Sequence, residues 1–392
     1  MSRLAWLTGD QQIAVANADG SGANLLTGTF LRGHASWAQL APSKLTWSWP
    51  TWSPDGKWVA AFAVEAGDER AGPVRVMSLK GDGSEEVLWY ETGVDVPIYL
   101  QWRPDGEALA LLTQTDGELA LGAIQRSALG RLRPAETGVP LFFEWTPDGS
   151  RLFCHSSERR AAAGRLVLRD VFGSEADTVL AHAPGSFCAP VFAGEDAVWG
   201  TPEDGGTLVV AGDPHRGIWR PMLNRKGLLA MVPAPRGAPL LAVSSAPGGE
   251  GNPYDGIDLL DLRDGSLRPL TKKACLAFFW SPTGDWLLAA QVSPADNCLR
   301  WWRVALDGSP DVELGTFWPS REVIFVLHFF DQYTQSHPPI SSDGRYIVFA
   351  GYPAGGGHAD LSKPPRVYLR DMHHLESAAV EVDSGAFAVF SR

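Results

Sequence analysis

Five side chains in the C-terminal part of the chain, His328, Asp331, His337, His358 and Asp360, are of the types that ligate zinc or another borderline divalent ion. Neutral imidazole nitrogen and carboxylate oxygen are the usual donors for such ions. Their spacing matches no known metal motif, so the competing reading is of polar loop residues that form hydrogen bonds. A metal held there would suit a metal-assisted hydrolase or lyase. The pair His373-His374 falls in a different turn and stands apart from this group. The sequence contains no Gly-x-Ser-x-Gly elbow, no His-Glu-x-x-His helix and no phosphate-binding loop. No catalytic residue is therefore assigned.

Other residues that could do chemistry are sparse. Cys154, Cys188, Cys275 and Cys298 lack any Cys-x-x-Cys spacing, which excludes a zinc ribbon or a redox pair and leaves buried free thiols. Arg159, Arg160, Arg165 and Arg169 form one basic run, read as a solvated face in preference to an anion site. The net charge of −12 disfavours a hold on nucleic-acid phosphates or on an anionic membrane, both of which need clustered cations. With 45% hydrophobic and 20% charged residues, the composition is that of a globular protein with ample core. The start, Met1 to Asp10, has no long apolar run and no window approaches a membrane span. The expected location is the cytoplasm, or the periplasm if a native leader has been removed, and no cofactor is required beyond the candidate divalent metal.

The elements that position these residues are announced by a repeated bend. Trp52-Ser53-Pro54-Asp55-Gly56 leads into Lys57-Trp58-Val59-Ala60-Ala61-Phe62, an alternating strand. Pro54 presets φ for the second position of a type I turn, and Gly56 takes the left-handed conformation that returns the chain antiparallel. The bend recurs at Trp102-Arg103-Pro104-Asp105-Gly106, Trp145-Thr146-Pro147-Asp148-Gly149, Trp280-Ser281-Pro282-Thr283-Gly284 and Ile340-Ser341-Ser342-Asp343-Gly344. Four short strands separate successive bends, and two worn copies fill the gap between Trp145 and Trp280. At the front, Leu4–Leu7, Gln12–Asn17 and Ala23–Leu26 read as three strands lacking their first; at the back, Gly385–Arg392 reads as a first strand lacking the other three. The expected fold is all-β: an eight-bladed β-propeller of four-stranded antiparallel blades, closed by a blade that mixes N-terminal strands with the C-terminal one. Residues 1–392 would form a single domain.

The run WSPDGKWVAAF, together with the turns Asn17-Ala18-Asp19-Gly20-Ser21, Asp82-Gly83-Ser84, Asp264-Gly265-Ser266 and Asp307-Gly308-Ser309, resembles the TolB-type propeller repeat, which is related in shape to WD repeats. The resemblance covers nearly the whole chain. TolB itself carries an additional N-terminal α/β domain, six blades and a periplasmic signal, none of which is visible here, so its envelope role is not implied. Similar propellers are fused to an α/β-hydrolase in the prolyl-oligopeptidase family; here the last strand coincides with expected ring closure.

Two insertions, at about 29–45 and 317–334, interrupt the repeat. Long loops on a rigid scaffold usually carry function. These hold Phe30, Leu31, Trp37, Trp318, Phe329, Phe330 and Tyr333, which are read as partner-binding anchors, and Phe325 falls in the same insertions. The competing reading is that they fold back over a blade edge. The expected function is that of a non-catalytic scaffold binding a protein or peptide. The alternatives are the metal-assisted enzyme above and a small-molecule sensor.

Overall fold

The computed structural model describes residues 2–27, 45–65, 73–93, 95–157, 164–173, 175–182, 189–203, 206–249, 253–293, 298–354 and 359–392. The chain divides into two compact units. The first comprises Met1–Pro134, Phe317–Val326 and Gln335–Arg392; the second comprises Ala135–Thr316 and Leu327–Thr334. No helix among the described residues is long and apolar enough to cross a membrane.

The first unit opens with β1 (Arg3–Thr8), β2 (Ile13–Asn17) and β3 (Asn24–Leu25), paired antiparallel in order. Next come two four-stranded antiparallel sheets in sequence order. One holds β4 (Leu45–Trp52), β5 (Trp58–Glu65), β6 (Val74–Lys80) and β7 (Glu86–Glu91); the other holds β8 (Val96–Trp102), β9 (Ala108–Thr115), β10 (Glu118–Gln125) and β11 (Arg133–Gly138). Phe62, Val76, Trp89, Leu100, Trp102, Leu109 and Leu111 bury their side chains together in this unit.

The second unit repeats the pattern. Its sheets are β12 (Leu141–Trp145) with β13 (Leu152–Ser157), β14 (Gly164–Arg169) and β15 (Thr178–His182); β16 (Val191–Ala193) with β17 (Asp196–Glu203), β18 (Gly206–Asp213) and β19 (Ile218–Arg225); and β20 (Leu228–Pro233) with β21 (Leu240–Ala246), β22 (Ile257–Asp261) and β23 (Leu267–Thr271). β24 (Ala277–Trp280), β25 (Trp286–Val292), β26 (Leu299–Ala305) and β27 (Val312–Pro319) follow. Val191, Val209, Met231, Leu241 and Leu260 form a core cluster of this unit.

The chain then turns helical, as α1 (Arg321–His328) and α2 (Phe330–Tyr333), before β28 (Tyr346–Pro353), β29 (Arg366–Asp371) and β30 (Val380–Phe390) complete the first unit. β30 does two jobs. Its first part pairs with β29, and its second pairs antiparallel with β1, setting Phe390 opposite Leu4 and Phe387 opposite Leu7. The C-terminal strand expected to join the N-terminal ones is thus present, fused to the strand before it.

The repeated bend folds as its residues dictate. Gly56, Gly106, Gly149, Gly284 and Gly344 all take φ between 67° and 80°, where a side chain would be strained. Asp55 accepts hydrogen bonds from the Ser53 hydroxyl (2.6 Å) and the Lys57 amide (3.1 Å), closing the turn from within. Two expectations need correction. The strand before Ser341 shrinks to a single bridge between Ile340 and Ile347, because Pro338 and Pro339 have no N–H to donate to a ladder. The 317–334 insertion is not an aromatic loop: it continues β27 and then forms α1 and α2.

Candidate functional site

β4 reads Leu-Thr-Trp-Ser-Trp-Pro-Thr-Trp, and a proline inside a strand cannot serve the ladder. Ser48 pairs with Phe62 and Thr51 with Ala60, so Trp49 and Pro50 bulge out of register. Trp49 sits at φ 59°, a left-handed conformation rare for so bulky a residue.

A buried hydrogen-bond chain holds this bulge in place. The Thr51 hydroxyl donates to the Trp49 carbonyl (3.3 Å) and lies 3.1 Å from His337 Nε2. Its single proton being used, Thr51 must accept from His337, which makes Nε2 the protonated nitrogen and Nδ1 an acceptor. Nδ1 then takes the Ser336 hydroxyl proton at 2.7 Å, and the Tyr99 hydroxyl donates to Ser336 Oγ at 2.9 Å. Thr51, Tyr99, Ser336 and His337 are all buried. Burial pushes the His337 imidazole down to about 3, so the chain is neutral at physiological pH.

Four rings surround the Trp49 indole. His337 lies 4.7 Å away, Phe325 stands edge-on at 5.7 Å, Phe387 stacks nearly parallel at 6.1 Å, and Tyr99 stands edge-on at 6.3 Å. Phe325 is supplied by α1, whose start is fixed by Ser320: its hydroxyl accepts from the Val323 amide (3.1 Å) and donates to the Ala386 carbonyl. Val323, Val326 and Leu327 turn inward at helical spacing. Arg321, Ile324, Phe325 and His328 form the exposed stripe. Ile324 and Phe325 are 49% and 43% exposed, a large apolar pair facing solvent.

In the second unit, α2 packs against β12, β20 and β24. Phe330 is fully buried, with ring centroids 4.8 Å from Phe278 and 5.8 Å from Tyr254. Gln332 Nε2 donates to the Phe143 carbonyl at 2.7 Å. Asp331 has no cation partner among the described residues. Desolvation pushes its carboxyl up to about 6, against the opposing hydrogen bonds from the Gln332 amide and its own.

The anchors expected from the sequence therefore separate. Phe330 and Tyr333 are buried and belong to the core, not to a free surface. Trp318 lies half-buried in β27, opposite Tyr352. Phe329 is half-buried against Tyr333. Phe30, Leu31, Trp37 and His358 lie outside the described residues.

The candidate metal donors do not assemble: among the described residues no group of three or more His, Cys, Asp or Glu side chains is placed to hold a metal. His337 has both nitrogens engaged by hydroxyls, and His328 is exposed. Asp360 bonds to Ser362 and pairs with Lys363 (3.2 Å) within its own turn. In the basic run, Arg165 and Arg169 clasp the buried Glu136; burial raises that carboxyl's pKa, but the two arginines outweigh it and leave it below its ordinary value. Cys154, Cys275 and Cys298 are buried, and desolvation pushes the Cys275 thiol up to about 12. Sequence reasoning missed Trp49, Tyr99 and Ile324. The Trp49-Pro50 pair inside a strand was the available signal for the bulge.

No family model matches the chain, and no curated protein is similar to it in sequence. Solved structures do superpose. A prolyl endopeptidase aligns with TM-score 0.59 and 13% identity over 89% of this chain and 50% of its own, so the chain spans about half the length of that enzyme. An oligogalacturonate lyase in complex with manganese aligns with TM-score 0.53 and 16% identity, covering 83% of this chain and 89% of that one. The β-propeller domain of the trilobed protease from Pyrococcus furiosus aligns with TM-score 0.52 and 11% identity, covering 86% and 98%. TolB from Acinetobacter baumannii also matches, at TM-score 0.42 and 14% identity over 78% of this chain and 62% of its own. The neighbours with TM-scores above 0.5 are peptidases and a lyase, and what they share with this all-β chain, with its several four-stranded antiparallel sheets, is the β-propeller fold.

Proposed function

We propose that this chain is an eight-bladed β-propeller in a single domain, acting as a non-catalytic scaffold that binds a protein or peptide partner through the outward face of α1. The eight-blade reading counts the second part of β30 with β1, β2 and β3 as one four-stranded repeat, supported by the pairing of Phe390 with Leu4. The observation that carries the binding reading is the exposed pair Ile324 and Phe325. Most large apolar side chains of this segment are buried; these two face water while Phe325 is braced against Trp49. A rigid, solvent-facing apolar surface loses little freedom on binding, which favours docking.

A photo-crosslinking amino acid at position 325 tests this reading. It is expected to trap a discrete partner in cells, while the same group at Ile218, an exposed site on β19, traps none. Equal labelling from both positions would contradict it. Elemental analysis of the purified protein separates this scaffold from a metal-assisted hydrolase or lyase. The scaffold reading expects no stoichiometric zinc or manganese, and a full equivalent of either would turn the assignment toward an enzyme.

A further inference from the structure

We infer that the α1 face recognises a peptide carrying an acidic side chain close to a bulky apolar one; this deepens the binding-module reading and rests on it. Arg321 lies three and four residues before Ile324 and Phe325, so the guanidinium and the apolar pair occupy neighbouring positions on one helix face. Arg321 is exposed and, among the described residues, has no carboxylate partner, not even the adjacent Glu322. Four other arginines of the first unit are paired with carboxylates, Arg75 with Glu91, Arg103 with Asp105, Arg345 with Asp371 and Arg366 with Glu381, and Arg126 is set over the Trp58 ring, whereas Arg131 and Arg133, like Arg321, have no ion pair among the described residues. In a chain of net charge −12, an unpaired cation beside an exposed apolar pair is a complementary imprint of an acidic, apolar ligand.

The same features select among occupants. A nucleic acid or an anionic membrane needs several clustered cations and is repelled by the overall charge. A small anion would leave Ile324 and Phe325 uncovered. A peptide supplies both groups at once: its apolar side chain rests on Phe325 and Ile324 while its carboxylate reaches Arg321, with charge-assisted hydrogen bonds giving register.

The test uses the full chain and fluorescein-labelled peptides that place one Glu and one Leu or Phe at spacings of one to four, with Glu→Gln and Leu→Ala controls, read by anisotropy at low and moderate salt. Binding is expected for the acidic-apolar peptides, weakening about tenfold in the Glu→Gln control and in Arg321→Gln, with partial retention in Arg321→Lys. Phe325→Asp is expected to abolish it. Equal affinity of the Glu and Gln peptides, with binding still lost in Phe325→Asp, would overturn the acidic preference and leave the docking surface standing. Binding untouched by Phe325→Asp would overturn both. Concentration-dependent dimers that vanish in Phe325→Asp, without peptide binding, would assign the face to a second copy of this chain and overturn the peptide.

Discussion

His337 and Asp331 stand close in sequence, and burial moves their acidities in opposite directions: the imidazole down to about 3, the carboxyl up to about 6. Folding excludes a proton that the unfolded chain binds at His337 below about 6.5. That contribution is complete above about pH 6.5 and is lost as pH falls toward the folded value. Asp331 behaves conversely. Its fold keeps a proton that an ordinary carboxyl at 3.8 would release, so its contribution is complete below that value and is lost as pH rises through about 6. Between about pH 4 and 6 the two slopes oppose one another. Asp331→Asn is therefore expected to unmask the imidazole, with stability falling on acidification by up to about 1.4 kcal/mol per pH unit, whereas His337→Gln unmasks the carboxyl and reverses the sign. Melting temperatures across pH 4–7 check this; matching profiles for the two variants would contradict it. The hydroxyl chain through Thr51, His337, Ser336 and Tyr99 also explains why Trp49 tolerates its left-handed backbone: it ends on the Trp49 carbonyl.

Among the elements, β30 concentrates the most structure in the fewest residues. Its second part buries Phe387 and Phe390 and completes the pairing of β1. Burying each phenylalanine is worth about 1.5–3 kcal/mol, and each net hydrogen bond about 0.5–1.5 kcal/mol. Removing residues 385–392 should therefore forfeit an amount comparable with the ~5–15 kcal/mol of a typical domain. An unchanged melting temperature in the truncated chain would contradict the mixed N- and C-terminal repeat. The strands were legible because their signals are local: a glycine at a fixed offset marks each of the five clear bends, a proline two residues before it marks four of them, and alternation marks each strand. The fusion of two strands into β30 was not, since Asp383-Ser384-Gly385 reads as a turn that would end one strand and begin another. Nor was α1. Val323-Ile324-Phe325-Val326 is a β-branched and aromatic run that favours a strand by propensity, and only the Ser320 cap and the packing of Val323, Val326 and Leu327 decide for a helix.

For the whole molecule, the repeat alone pointed to the propeller class, and the likeness of the chain to solved propellers supports that class. The site was half legible. The 317–334 insertion was recognised as the place of interest, but composition cannot tell an inward ring from an outward one, and the structure assigns Phe330 inward and Phe325 outward. Trp49, distant in sequence, joins the site only through a bulge. A buried core holds the scaffold, and a separate face meets the partner. The most direct measurement compares Phe325→Asp and Phe330→Ala in one assay of partner affinity and thermal stability. Phe325→Asp is expected to lose binding with its melting temperature nearly unchanged, whereas Phe330→Ala loses about 3–5 kcal/mol of stability and, while folded, binds normally. Binding that survives Phe325→Asp, or stability that falls as far in Phe325→Asp as in Phe330→Ala, would contradict this separation of core from binding face.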